Sequence, residues 1–266
     1  MLDGMKYANE GMIQMSIRQD IISNNLANAT TAGFRRETGY ITSFSSVFNK
    51  QMGFVPGMAG QEGRTQYDGY MEVGGGLETE GGLQQRTVTG FSQGALRETG
   101  NNFDLALDDD GKGMFTVQTP DGMRYTRNGS FHLTPTGNLA TADGALLMGM
   151  HGPINVGHAT NVEVTPEGVV KADGRELDHL RITAFMNMGA LRKVGTTSFS
   201  DANAGAMTMT RGICVRQGYL EQGNVNAVQE MVSMLAVSRA FEANQKALQS
   251  EDQVLKKAAN NLGQVR

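Results

Sequence analysis

The chain has 266 residues, enough for one large domain or two ordinary ones, and its 23 basic and 27 acidic residues give a formal net charge of −4. These charges are spread along the sequence, so composition predicts neither a nucleic-acid surface nor a polybasic strip for anionic lipid. No apolar run approaches the roughly 18 residues of a spanning helix, and residues 1–20 lack the pattern of a cleavable signal peptide. We therefore predict no membrane insertion.

The first predicted element is an amphipathic helix that ends before the turn-forming stretch at residues 28–34. Its apolar positions alternate three and four residues apart, which places them on one side of the helix with a polar interruption at Gln19. These positions are Met5, Ala8, Met12, Met15, Ile22 and Leu26. The stripe predicts a surface that partner helices cover.

Residues 36–89 are predicted to be an extended or linker region. Their centre is rich in glycine and polar groups, including the run Gly74-Gly75-Gly76. That run lacks the downstream Lys-Ser or Lys-Thr of a phosphate loop. We therefore interpret it as linker glycine and predict no bound cofactor there.

Residues 90–216 alternate short β-forming segments with glycine turns. The clearest hairpin joins residues 115–119 to residues 123–126 through Pro120-Asp121-Gly122, where proline presets the first turn torsion and glycine accepts a positive one. Segments this short and closely spaced predict an antiparallel β domain. Further predicted strands are residues 162–165 paired with 169–172, then 180–185, and a closing pair at 207–209 and 213–215.

The last predicted element is a long helix between a capping-box-like start at Asn226 and a stop at Gly263. One seam position of its heptad repeat is apolar throughout, with Met234, Phe241, Leu248, Leu255 and Leu262. The companion position begins with Met231, widened by Leu235, and is then interrupted by Ser238, Gln245 and Asp252. Two interpretations stay open, a helix packed on its own β domain and a helix that pairs in a coiled coil or helical assembly.

The predicted fold class is α+β, with a mainly antiparallel β domain inserted between N- and C-terminal helices. Residues 1–35 and 217–266 are predicted to form one coiled-coil-like helical domain. Residues 36–89 connect it to the β domain at residues 90–216. Because an isolated apolar stripe cannot offset its ordering entropy, we expect the two ends to fold on assembly.

No catalytic, cofactor-binding or metal-binding pattern emerges from the sequence. Asp108-Asp109-Asp110-Gly111 resembles part of a calcium loop, but with Gly111 in sixth place the first and twelfth positions would be Ala106 and Val117, which lack carboxylates. We interpret it as an acidic turn. Cys214 is the only cysteine, so no internal disulfide can form. The histidines match no common metal spacing and are His132, His151, His158 and His179.

The apolar stripes of the two helices are therefore the candidate functional surface, an assembly interface. Its predicted members are Met5, Met12, Met15, Ile22, Leu26, Met231, Met234, Leu235, Phe241, Leu248, Leu255 and Leu262.

Three separate segments resemble the signatures of bacterial flagellar rod and hook proteins. They are residues 23–35 near the start, residues 99–107 and 125–131 in the middle, and residues 217–253 near the end. The resemblance covers nearly the whole chain, with small departures at residues 111–115 and 222–223. The matching positions of the terminal signatures are Asn24, Asn25, Leu26, Asn28, Gly33, Phe34, Asn224, Val225, Asn226, Glu230, Arg239, Ala240, Glu242 and Asn244.

The resemblance implies a structural subunit of the flagellar basal-body rod that stacks helically to transmit torque, with its terminal helices in an inner coiled-coil layer. It implies export by the flagellar type III apparatus without a cleavable signal, to the periplasmic part of the basal body. The implied partners are copies of this chain, other rod and hook subunits and the export apparatus, and no enzymatic step is implied.

Residues 149–156 and 258–265 are more similar to the proximal than to the distal rod protein of the family. Three alternatives stay open. The first is a distal rod or hook-type subunit, the second a wall-active enzyme, which would need a cleft with paired carboxylates, and the third a binding module that forms a small closed oligomer.

Overall fold

The structure, a computed structural model, describes residues 2–43, 70–79, 83–157, 159–201, 204–209, 212 and 214–263. The chain divides into two compact units. One unit contains Met1–Ala27 together with Asn226–Arg266, and the other contains Asn28–Val225. We call them the helical unit and the central unit.

The helical unit consists of α1 (Leu2–Ala27) and α2 (Ala227–Gly263). The start of α2 is capped as predicted, because the Asn226 side-chain oxygen accepts a hydrogen bond from the Gln229 amide at 3.1 Å. Neither helix, over its described residues, is long and apolar enough to cross a membrane. Both predicted helices are therefore present with their predicted ends.

Within the helical unit α1 lies against α2. Gly11 marks a close approach, since a Cβ atom built there would lie 3.1 Å from the Asn244 side-chain amide nitrogen. A small residue at this position leaves room for the Asn244 side chain against α1.

Three strands precede the β domain that the sequence predicted. They are β1 (Glu37–Ser43), β2 (Tyr70–Thr79) and β3 (Leu83–Gly90), joined in the antiparallel order β1-β3-β2. In its described parts, residues 36–89 are thus a sheet, and the prediction of an extended linker was wrong there. The glycine run that suggested a linker lies in β2, where the register shifts between Val73 and Leu77.

The largest sheet of the described residues is antiparallel and follows the order β15-β16-β7-β6-β10-β9-β8, with β14 pairing β6 and β17 at the side. Its strands are β6 (Gly113–Thr119), β7 (Gly122–Thr126), β8 (Phe131–Leu133), β9 (Leu139–Thr141), β10 (Leu146–Leu147), β14 (Ile182–Phe185), β15 (Leu191–Val194), β16 (Ser198–Asp201) and β17 (Ala206–Thr208). A short 3-10 helix at Met188–Ala190 precedes β15. The predicted hairpin is β6–β7, with Thr119 opposite Gly122.

Smaller antiparallel ladders complete the central unit. One contains β11 (Val162–Val164), β12 (Val169–Ala172) and β13 (Arg175–His179). Two others join β4 (Leu96–Glu98) to β19 (Tyr219–Glu221), and β5 (Leu105–Leu107) to β18 (Val215–Gln217). The segments predicted as a closing pair at 207–209 and 213–215 therefore pair elsewhere, because β17 adds to β14 while β18 adds to β5.

The central unit is held together by two apolar clusters. The larger lies between the largest sheet and the small ladders and includes Phe115, Leu147, Val170 and Val215. The smaller surrounds Phe199. Val215 belongs to the larger core although it lies near the end of the unit, so the C-terminal segment is part of the packed interior.

Candidate assembly surface and buried charge cluster

The inner face of α2 is apolar except at Asn244, and it is largely covered. Its residues lie three and four positions apart, which is the spacing of a helix seam. Val237 is buried at 8% exposure, and the others are half-buried. The inner face consists of Met234, Val237, Phe241, Asn244 and Leu248.

The two predicted columns of this seam differ in burial. Met234, Phe241 and Leu248 share the half-buried face, as the repeat predicted. Val237 and Asn244 lie on the same side. In the predicted companion column Ser238 and Asp252 are half-buried, whereas Met231 and Gln245 are exposed. The place of Met231 and Leu235 in an assembly interface stays a prediction.

Met231 and Leu235 instead belong to a second apolar stripe that faces away from the seam. Residues three and four positions apart share one side of a helix, and four exposed apolar residues meet that condition in the first turns of α2. We call this stripe the outer patch. Its members and exposed fractions are Val228 (70%), Met231 (51%), Val232 (57%) and Leu235 (60%).

Beyond the outer patch the same side of α2 is polar. Arg239, Glu242, Lys246 and Gln249 are exposed and continue the spacing of the patch along the helix. Two of them, Arg239 and Glu242, are positions at which the chain resembles rod and hook proteins. The face therefore combines a short apolar segment with a run of charges of alternating sign.

The predicted stripe of α1 is covered in part. Met12, Met15, Ile22 and Leu26 are half-buried. Among the side chains of α1 that the structure describes, the most buried apolar one is Ile21, which the stripe did not include. The predicted interface side chains of Met5, Leu255 and Leu262 lie outside the described residues.

The terminal signatures contain both buried and exposed positions. On the helices Asn24 is exposed, Asn25 and Glu230 are buried, and Ala240 is half-buried. In the central unit Gly33 and Phe34 are buried, and Asn28, Asn224 and Val225 are half-buried. Asn226 caps α2. The signature positions are therefore distributed through the fold and do not form a single exposed site.

Three distant segments of the central unit meet at one place, which we call the joint: residues 33–36, 90–95 and 221–224. The Gly33 amide donates to the Glu221 carbonyl at 2.8 Å, and the Gly90 amide donates to the Arg36 carbonyl at 2.9 Å. The Asn224 side chain accepts from the Arg36 amide at 2.7 Å and donates to the Gly90 carbonyl at 2.9 Å. Residues 28–35 and 217–225, predicted with the helices, therefore belong to the central unit.

A cluster of four charges lies at the joint, with Arg35 and Glu221 from its own segments and Asp109 and Arg127 from neighbouring parts of the central unit. Arg35 Nη1 lies 2.7 Å from Glu221 Oε1, Arg127 Nη1 lies 3.5 Å from Glu221 Oε2, and Arg127 Nη2 lies 2.5 Å from Asp109 Oδ1. The side chains of Arg35, Arg127 and Glu221 are fully buried, and that of Asp109 is 4% exposed. The two positive and two negative charges balance, which is the condition for keeping ions inside a protein.

Backbone groups complete this cluster. Glu221 Oε1 also accepts from the Gly94 amide at 2.8 Å, and Arg35 donates to the Ser92 carbonyl at 2.9 Å. Burial lowers the pKa of the Arg35 guanidinium, while the Glu221 carboxylate raises it and so favours the charged form. Arg35, Arg127 and Glu221 lie within the segments that resemble the family signatures and Asp109 lies outside them, but the sequence gave no sign that these residues meet.

Asp109 belongs to an acidic turn. Its carboxylate accepts from the Gly111 amide at 3.1 Å and from the Gly113 amide at 2.6 Å, in addition to pairing with Arg127. Within the described ranges no three His, Cys, Asp or Glu side chains are placed to hold a metal ion. His151 lies beside Asp178, with 2.8 Å between Nδ1 and Oδ1, and His158 is outside the described residues.

Substituting Gly33 with alanine should destabilise the central unit by about 2–4 kcal/mol. Gly33 has φ +68°, and a Cβ atom there would overlap the backbone of Arg127 and Asn128. Urea unfolding of the full chain measures the loss. The matched control is Gly100→Ala, which has φ +71° but open space around the new methyl group, so it should cost only about 1 kcal/mol. Equal losses would mean that close packing at Gly33 contributes nothing.

Family comparisons match three parts of the chain. The family described as "Flagella basal body rod protein" matches residues 5–35, and "Flagellar hook protein FlgE/F/G D1 domain" matches residues 110–172. "Flagellar basal body rod FlgEFG protein C-terminal" matches residues 216–262. Arg35, Arg127 and Glu221 each fall in a different one of these matches.

Curated relatives are similar over almost their whole length. A flagellar basal-body rod protein FlgG from Buchnera aphidicola is 31% identical over 97% of this chain and 98% of its own. FlgG from Bacillus subtilis is 29% identical over 98% and 99%, and the rod protein FlgF from Caulobacter vibrioides is 27% identical over 95% of each. Both names occur at comparable identity, so the preference for the proximal rod stays a prediction.

Proposed function

Because the chain belongs to the family of flagellar basal-body rod proteins, in which it is a structural subunit, we propose that it is built into the rod through the outer patch of α2. The observation that supports this proposal most directly is that the inner face of α2 is largely covered within one chain, whereas the outer patch is exposed. Contiguous exposed apolar residues on an otherwise charged helix are typical of an interaction surface.

The outer patch is large enough to matter energetically. Burying an apolar side chain of this size contributes very roughly 1.5–3 kcal/mol, and these four are already half covered, so a partner would gain roughly 5 kcal/mol before the cost of association. One such contact is modest. A stack repeats it at every subunit, so the assembly as a whole is stable.

The proposed occupant is a terminal helix of a neighbouring rod or hook subunit, either a further copy or a relative. Arg239, Glu242 and Lys246 follow the patch with alternating sign, and a helix with complementary charges would set its position along α2. Such contacts join different surfaces on the two subunits, and they produce an open helical stack when the rotation between neighbours does not close a ring.

The paired terminal helices are proposed to form a coiled-coil layer of the stack, with Met12, Met15, Ile22 and Leu26 of α1 and the inner face of α2 closing each pair. Met5, Leu255 and Leu262 are proposed to extend that layer. Residues 28–35 and 217–225 were predicted with the helices but belong to the central unit. With that change, the predicted domain division gives a helical layer and a separate β unit.

Export through the flagellar type III apparatus without a cleavable signal, and a place in the periplasmic part of the basal body, are further parts of the proposal. They are supported by the basal-body family to which the chain belongs. The family is structural, and we propose that the chain performs no catalytic step in the rod.

The proposal is tested by deleting the coding sequence in the source bacterium and isolating basal bodies. We expect the deletion strain to lack the part of the rod that this chain would form and everything assembled beyond it. Expression of the full-length chain should restore motility. Basal bodies with a complete rod and hook in the deletion strain would contradict a structural role in the rod.

A further inference from the structure

The four charges of the joint come from parts of the chain that are far apart in sequence. Arg35 and Glu221 are separated by 186 residues, and Arg127 lies between them. Each arginine contacts Glu221, so this carboxylate is the group that the two cations share. Without Glu221 two fully buried guanidinium groups would face Asp109 alone.

The segment that carries Glu221 is inserted among strands that precede it by more than a hundred residues. β18 pairs with β5 and β19 pairs with β4. The Gln217 side chain donates to the carbonyls of Asn102 and Val162, at 2.8 and 2.9 Å, and accepts from the Val164 amide at 3.0 Å. Residues 214–224 are therefore bonded to strands on more than one side within the central unit.

The N-terminal segment, residues 33–36, is bonded to the same C-terminal segment. Gly33 donates to the Glu221 carbonyl, Arg36 donates its amide to Asn224, and Arg35 places its charge on Glu221. Docking residues 33–36 first would bury the Arg35 cation without its partner, which is strongly unfavourable. The favourable order is therefore fixed by charge, with Glu221 in place before or together with Arg35.

We propose that this cluster is a completion lock, in which residues 33–36 dock only when residues 214–224 have closed the central unit. The lock gives the chain a way to delay ordering of its N-terminal segment until its C-terminal segment is present. It acts within one chain, so it holds independently of the proposed place in a rod.

The lock also prepares the helical unit. α1 ends at Ala27 and α2 begins at Ala227, and both ends lie only a few residues from the joint, where Gly223 packs against the carbonyls of Asn28 and Ala29. Holding these ends together raises the effective concentration of one helix for the other. A chain with a broken joint should consequently pair its terminal helices more weakly.

Amide hydrogen exchange of full-length Glu221→Gln, followed by mass spectrometry, tests the proposal. We expect protection of peptides spanning residues 30–40 and 214–224 to fall together, by about a hundredfold or more, while the β6–β7 hairpin at residues 113–126 keeps its protection. The matched control is Arg216→Gln, which breaks the exposed pair with Asp108 on the same segment and should leave both peptides protected.

Loss of protection at residues 214–224 alone, or at neither segment, would overturn the proposal. If Glu221→Gln also lowers the protection of the β6–β7 hairpin, the same exchange experiment on Asn224→Ala tests the proposal. This substitution changes no charge and removes the hydrogen bonds to Arg36, Gly90 and Ser92. Joint loss at residues 30–40 and 214–224 in that variant supports the lock. Loss at only one of the two overturns it.

Discussion

We expect Leu235→Glu to abolish incorporation of the chain into basal bodies while leaving the single chain folded. Leu235 is 60% exposed at the C-terminal end of the outer patch, so the free energy of unfolding of the monomer should change by no more than about 0.5 kcal/mol. In an assembled contact the same carboxylate would be buried among apolar groups without a partner, which costs several kcal/mol. The large difference between these two costs is the signature of an assembly surface.

The measurement compares the amount of variant chain in purified basal bodies with its thermal unfolding in solution. Leu177→Glu is the matched control, because Leu177 is 45% exposed on β13, outside the outer patch, and receives the same substitution. Leu248→Glu gives a different contrast, since a charge on the half-buried inner face should loosen the helical unit itself. Normal incorporation of Leu235→Glu into basal bodies would show that the outer patch is not an assembly surface.

The second large effect is expected for Arg127→Met, which should destabilise the central unit by about 3–5 kcal/mol. Methionine replaces the aliphatic stem of the arginine but not its guanidinium group, and it leaves the buried carboxylates of Asp109 and Glu221 with Arg35 as their one cation in the cluster. Urea unfolding of the full chain, followed through the β signal in circular dichroism, measures the change.

Two further variants show whether charge is the cause. Arg216→Met removes an exposed ion pair and should cost no more than about 1 kcal/mol. Adding Asp109→Asn to Arg127→Met should recover part of the lost stability, because the cluster then again carries equal numbers of positive and negative charges. A double variant that is less stable than Arg127→Met would point to lost hydrogen bonds instead, since Asp109 also holds the amides of Gly111 and Gly113.

Elements with local chemistry were predictable from the sequence. The β6–β7 hairpin follows from Pro120-Asp121-Gly122, and the start of α2 follows from Asn226, because turns and caps are decided by a few adjacent residues. The antiparallel character of the central domain and its place between two helices also followed from this pattern.

Features that depend on distant partners were not predictable in the same way. The triple glycine of β2 resembles a linker, and only pairing with β3 turns it into a strand with a register shift. Met231 fits a heptad column and Leu235 widens it, but the two residues fit an outward stripe equally well, and the choice depends on where α1 lies. The charge cluster joins residues 35, 109, 127 and 221, and no local pattern predicts such a meeting.

The most direct test places a photoreactive benzoylphenylalanine at Val232, in the outer patch, and irradiates assembled basal bodies. We predict covalent products that join this chain to a neighbouring flagellar subunit, with the cross-linked peptide in a terminal helix of that neighbour. Cross-links confined to residues 90–216 of the same chain would mean that α2 packs on its own β domain, and would contradict assembly through the outer patch.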